Sequence, residues 1–239
     1  PHVTQEPVAP GGSFRYTVHF PDAGLYWYHP HHREDLLQDA GLAGAIQVRP
    51  DDPQWLGPAH REQVLVLDDL LADGAGLVPW GRDAATHALM GRFGSLLLVN
   101  GETSWAMEVD RADVVRLWFV NVSNTRTWNV SLPGARMKVV AGDLGRFDRE
   151  SWVESVVIGP AERYAVDVRF ERAGPVRLLN QVRAIDHLGG RIFSVADTLG
   201  TVTVREKAAG SDLGAAFDSL RSPGGEAAEA GALRSEPAR

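Results

Sequence analysis

Two histidines separated by one proline, His29-Pro30-His31, are the residues of this 239-residue chain best typed and spaced for chemistry. They close an aromatic run, Gly24-Leu25-Tyr26-Trp27-Tyr28. On a strand, alternate side chains share a face, so Leu25, Trp27 and His29 lie together while Tyr26 and Tyr28 lie opposite. His31 keeps the parity of His29 if the backbone stays extended. Pro30 fixes its own φ, removes an N–H and biases His29 away from the helical region. Neutral imidazoles held this stiffly suit a copper or zinc ion, and two donors leave such a site to be completed from elsewhere. On spacing alone the commoner case is plainer: histidines that cap a strand and face solvent.

The elements around the pair can be read from hydropathy pattern and turn residues. Ser13 to Phe20 alternates, with Phe14, Tyr16, Val18 and Phe20 on one face and Arg15, Thr17 and His19 on the other. That pattern predicts a half-buried strand in which His19 is solvated. Pro21-Asp22-Ala23-Gly24 supplies a turn, making a hairpin with the histidine strand and burying Trp27 with Phe14, Val18 and Leu25. Arg33 to Gly41 reads as a short helical turn ended by glycine. Its Glu34 and Asp35 are candidates to orient the histidines, and a solvated charge cluster is their ordinary role. His32 falls on the opposite parity and points away. Ala43 to Arg49 predicts a further strand.

The segment from Asp51-Asp52-Pro53 to Pro58 is polar and proline-punctuated, as a domain boundary would be. Beyond it lie short apolar stretches at Gln63–Asp68, Leu96–Val99, Val114–Val122, Thr127–Leu132, Met137–Val140, Val153–Ile158, Tyr164–Phe170, Val176–Gln181 and Thr201–Arg205. Asn100-Gly101 and Pro133-Gly134 provide turns, and Arg82 to Met90 reads as a short helix. Such spacing predicts an all-β Greek-key sandwich or barrel. Lys207 to Arg239 is rich in Ala, Gly, Glu and Ser, and reads as a linker or disordered tail. Leu213, Phe217 and Leu220 within it permit one amphipathic turn.

Several of these stretches together resemble multicopper oxidases of the laccase type. Thr4-Gln5-Glu6-Pro7, Pro10-Gly11-Gly12-Ser13-Phe14, Gly24-Leu25-Tyr26-Trp27-Tyr28-His29-Pro30-His31 and Gly41-Leu42-Ala43-Gly44-Ala45-Ile46 are similar to that family's first domain. Leu98-Val99-Asn100-Gly101, Arg116-Leu117-Trp118-Phe119-Val120-Asn121, Met137-Lys138-Val139-Val140-Ala141-Gly142-Asp143 and Ile158-Gly159-Pro160-Ala161-Glu162-Arg163-Tyr164 are similar to its middle domain. The resemblance covers about residues 1 to 205. It implies a cupredoxin-like fold with one partial and one complete domain. Residues 1–50 would be the C-terminal part of a first domain carrying the copper motif, and 51–62 a linker. Residues 63–206 would be a second domain without copper, and 207–239 the tail.

The resemblance further implies copper as cofactor, with His29 and His31 ligating one ion each of a coupled type-3 pair. Dioxygen and a small reducing substrate, phenolic or a metal ion, would be the partners of the complete enzyme, which would be secreted or periplasmic. The family's first His-x-His motif would lie before Pro1, and its third domain, bearing the electron-entry site, after Arg239. Asp143, Glu162 and Arg163 read as structural ties. The competing class is a cupredoxin-like binding or structural module with no catalysis of its own. A two-domain oxidase fits less well, because its second domain would need a cysteine.

Composition narrows the alternatives. A formal charge of −7 argues against nucleic acid or an anionic membrane as partner. With no cysteine there is no disulfide, thiolate metal site or cysteine nucleophile. No apolar run is long enough to span a bilayer, and no signal peptide opens the chain.

Overall fold

A computed structural model describes residues 5–186 and 188–222. Nearest the N-terminus, β1 (Gly24–Tyr28) pairs antiparallel with β2 (Gly44–Val48), and α1 (Glu34–Asp39) bridges them. Then come β3 (Arg61–Leu70), the two-residue strands β4 (Ala72–Asp73) and β5 (Gly76–Leu77), α2 (Ala84–Met90), and β6 (Leu96–Val99). β7 (Trp105–Arg111), β8 (Val114–Asn121), β9 (Trp128–Ser131), β10 (Arg136–Ala141) and β11 (Arg146–Val153) follow. The series ends with β12 (Val156–Ile158), β13 (Arg163–Arg169), β14 (Gly174–Asp186), β15 (Arg191–Ala208) and α3 (Gly214–Asp218). One sheet has six strands in the order β11-β10-β13-β8-β3-β6, and the other has five in the order β12-β9-β14-β15-β7. The pairs β3 with β8 and β7 with β15 are parallel.

The sandwich core follows the period of two. Leu65 and Leu67 of β3, Leu117 and Phe119 of β8, and Val166 and Val168 of β13 face inward. They meet Trp128, Val130, Leu178 and Val202 from the other sheet. All eight residues of β8 are nevertheless buried, so the strand is covered on both sides. The second covering is the β1–β2 unit: Leu25 joins Leu56, Trp118, Val120, Val140 and Ala165 in a cluster on the outer face of the six-stranded sheet. Leu25 N–H donates to Asp143 O (3.2 Å), and Arg163 Nε donates to Leu25 O (2.7 Å). Gly24 lacks a side chain where β1 comes closest, since a Cβ there would lie 2.9 Å from Asp143 O. Buried Arg116 on the same face forks onto Asp167 (2.8 and 3.0 Å) and reaches Leu56 O (3.0 Å).

Four expectations from sequence are corrected. Ser13–Phe20 forms no strand, and Phe14, Tyr16 and Val18 are 48%, 60% and 61% exposed. Alternation supplies a face, but a strand also needs a neighbour for its N–H and C=O groups, and β1 takes β2 instead. Trp27 therefore packs beside the Leu25 cluster without Phe14 or Val18, and is only half-buried. Val153–Ile158 is divided, Val153 closing β11 in one sheet and Val156–Ile158 forming β12 in the other. In the region expected as a tail, β15 runs to Ala208, and the turn allowed there around Phe217 is α3, which buries Phe217 to 3% exposure. Lys138 Nζ, itself buried, bonds Glu150 Oε2 (2.8 Å) and Ser219 O (3.1 Å), so this segment is docked. The remainder of the tail, 223–239, lies outside the described residues.

Where α1 meets β3, three carboxyls meet two guanidinia. Asp39 pairs with Arg92, and Asp69 pairs with Arg126 Nε (2.9 Å) and accepts from Gly94 N–H. Among the described residues Asp68 has no cation, only the Asp69 N–H (2.8 Å). Burial, with help from the charges of Asp69 and Asp39, pushes the Asp68 carboxyl up to about 7. The folded state then holds a proton that the unfolded chain releases near its ordinary value of 3.8. Stability should fall as pH rises from about 4 to about 7, then level off, because above 7 both states are ionised. Asp68→Asn should remove that component of the fall, read as urea midpoints at pH 5, 6, 7 and 8. Identical pH dependence in the variant would refute this account.

Candidate metal centre

β1 ends at Tyr28, and His29, Pro30 and His31 leave its end in sequence. Gly44 faces Tyr28 across the strand pair, and the Tyr28 ring occupies the space a Cβ at Gly44 would need. Three rings of like parity stack beside one another. Trp27 and His29 are parallel within 11° at 4.2 Å between centroids, and His29 and His31 are 4.7 Å apart with a 34° tilt. The face expected from strand parity therefore carries both imidazoles. Trp27 fixes the plane of His29 by contact with a broad apolar ring.

After His31 the chain turns through Arg33, which holds φ 46° and ψ 50° in the left-handed region, and enters α1. α1 is seated by Gln38 Nε2, buried and donating to Val122 O (2.8 Å), and by Asn124 Nδ2 donating to Asp35 O (2.9 Å). Arg33 forks onto Asp35, with Nε–Oδ1 3.1 Å and Nη2–Oδ2 3.2 Å. Glu34 lies toward the histidines instead, its Oε2 3.4 Å from His31 Nδ1. One donor atom each from His29, His31 and Glu34 all lie within 4.8 Å of one another. His32 is exposed and belongs to no such group, as its parity predicted.

His29 Nδ1 is buried and has no hydrogen-bond partner among the described residues. Leaving such a nitrogen unsatisfied costs free energy, which a bound metal ion would offset. His31 and Glu34 keep 62% and 55% of their side-chain surface exposed, so the pair opens outward on one side. Imidazole nitrogens with a carboxylate oxygen suit copper or zinc. The residues present thus fit the ion that the sequence suggested. Of the acidic candidates flanking the motif, Glu34 joins the group and Asp35 is taken up by Arg33. Asp143 and Arg163 are structural, Asp143 Oδ1 accepting from Arg163 N–H (2.8 Å), and Glu162 Oε2 accepts from Gly159 N–H (2.6 Å). Sequence reading missed Gln38, Asp39 and Arg92 as the anchors of α1, because their partners are 84 and 53 residues away.

A family model described as multicopper oxidase matches residues 1–53, and a second of the same description matches residues 61–176. Together they cover more than two thirds of the chain. The chain belongs to the multicopper oxidase family. Among relatives, it is 29% identical over 174 residues to Laccase-1 of Fomitopsis schrenkii, covering 68% of this chain and 30% of that protein. It is also 29% identical over 197 residues to the cell division protein FtsP of a Rahnella species, covering 79% of this chain and 41% of that protein. A multi-copper oxidase from Pseudomonas thermotolerans shares the fold with a TM-score of 0.71 at 29% identity, covering 90% of this chain and 48% of that one. The sandwich is thus cupredoxin-like. The chain spans less than half the length of these relatives. No helix among the described residues is long and apolar enough to cross a membrane.

The Trp27 contacts in this multicopper oxidase segment give a specific expectation. A fully buried aromatic costs roughly 3–5 kcal/mol to truncate, and half-buried Trp27 should cost about half of that as Trp27→Ala. The same change should free the His29 ring, seen as line narrowing of its imidazole NMR signals. Unchanged His29 signals would show that the stacking does not hold the ring.

Proposed function

We propose that this chain is a segment of a copper oxidase that takes electrons from a small reducing substrate, phenolic or a metal ion, and delivers them to dioxygen. In this reading His29 and His31 each bind one ion of a coupled copper pair. The observation that carries it is the His29–His31 ring pair at 4.7 Å, with a buried, unpartnered Nδ1 on His29. Copper, when bound, supplies one-electron redox chemistry. The chain's own residues supply position: Pro30 stiffens the link, Trp27 sets the plane of His29, and β2 and α1 hold the two ends of the segment. Each imidazole must offer a neutral nitrogen to coordinate.

Residues 63–206 are read as a second domain that binds no copper, supported by the absence of cysteine from the whole chain. Residues 1–50 are read as part of the first domain, 51–62 as the linker and 207–239 as the outgoing segment. The remaining copper donors and the electron-entry site would be supplied by other parts of the complete protein. Secretion or export to the periplasm follows from the same reading. A non-catalytic module is the alternative, and the similarity to a cell division protein supports it.

The deciding measurement is oxygen uptake and copper content of the complete protein with and without His29→Ala or His31→Ala. Both replacements should abolish uptake and lower copper content while leaving the far-UV circular dichroism unchanged, since the residues sit beyond the strand end. Normal uptake by either variant would refute the assignment. A complete protein that takes up no oxygen with both histidines intact would favour the non-catalytic module.

A further inference from the structure

We propose that Glu34 completes a three-donor cation site, in which His29, His31 and Glu34 together hold one divalent ion on this chain alone. The inference rests on the reading of His29 and His31 as ligands and adds the donor that the His-x-His spacing does not supply. Its basis is the turn after the motif. Arg33 adopts φ 46°, a conformation that side chains other than glycine, Asn and Asp rarely take. That turn brings Glu34 back to His31, with Oε2 3.4 Å from Nδ1. The Arg33 guanidinium is meanwhile committed to Asp35 through two hydrogen bonds. Of the two adjacent carboxylates, one is neutralised by its neighbour and the other faces the imidazoles.

The geometry suits an ion. Donors about 2.0–2.2 Å from a tetrahedral metal lie on the order of 3.4 Å from one another. The Glu34–His31 separation of 3.4 Å meets that condition as it stands. The donor atoms of the group all lie within 4.8 Å of one another, and rotation of the exposed His31 and Glu34 side chains would bring them closer. Two imidazoles and a carboxylate form one face of a coordination sphere, and the exposed side of His31 leaves the other positions to water. The same imidazoles can serve separate ions once further ligands are supplied.

The test is titration of the 239-residue chain with copper(II) sulfate by calorimetry, with an electron paramagnetic resonance spectrum at one equivalent. The unaltered chain should bind one equivalent, with nitrogen and oxygen donors in the spectrum. Glu34→Ala and Glu34→Gln should weaken binding by roughly tenfold or more, at least the loss usual for removing an outer partner of a ligand, and should shift the copper hyperfine splitting. His29→Ala or His31→Ala should abolish binding. Glu34→Ala with unaltered affinity and spectrum, alongside lost binding in His31→Ala, would overturn the role of Glu34 and leave the histidines as ligands. Binding that survives both histidine replacements would overturn both readings. Far-UV circular dichroism of each variant separates lost ligands from lost fold.

Discussion

The outer face of the six-stranded sheet is apolar, and covering it is the constraint on which the rest of the molecule depends. Trp118 and Val120 of β8, Val140 of β10 and Ala165 of β13 point away from the sandwich core, yet each is 3% exposed or less. Exposing such a patch would cost on the order of 25 cal/mol for every Å² of apolar surface. The β1–β2 unit and the crossing at Trp55 and Leu56 provide the cover, with Leu25 fully buried at the contact. Because β1 is held there, the histidines that follow it emerge at a fixed edge of the molecule. Burial in the second half of the chain thus sets the position of the chemistry in the first.

Charge complements this apolar contact where side chains could otherwise slide. Arg163 joins β1 to β13 through the Leu25 carbonyl, and Arg116 ties the crossing segment to the sheet while paired with buried Asp167. Buried ion pairs carry a large desolvation cost and add little net stability, but their geometry is demanding. α1 is seated by the same means, through Asp39 with Arg92 and through the Gln38 amide. Both ends of the His29–Gly41 stretch are therefore anchored to the sandwich, and the loop between them is shaped by the strained turn at Arg33.

The candidate metal centre is open on one side. His29 is half-buried behind Trp27, whereas His31 and Glu34 keep most of their surface. An edge of this form suits a site completed by donors from elsewhere, and the chain spans less than half the length of its relatives. On the sandwich below, Lys138 ties Glu150 of β11 to Ser219 O just beyond α3, docking the C-terminal segment on the six-stranded sheet.

Local pattern determined much of this protein. The continuous apolar runs of β3 and β8, the period of two in β13 and β14, the glycine after α1 and the aromatic run ending in His29-Pro30-His31 each specify a backbone state or a face from neighbouring residues alone. The ring column of Trp27, His29 and His31 follows from that parity. The tertiary structure decided whatever depended on a partner. Ser13 to Phe20 has the alternation of a strand but no neighbour to pair with among the described residues, and β11 has weak alternation but becomes a strand because β10 lies beside it. Glu34 and Asp35 are adjacent carboxylates that no sequence rule separates; the left-handed turn at Arg33 and the reach of its guanidinium give them different roles. Alternation records which side of the backbone is apolar, whereas pairing and ligation depend on distances between residues far apart in the chain, and folding alone sets those.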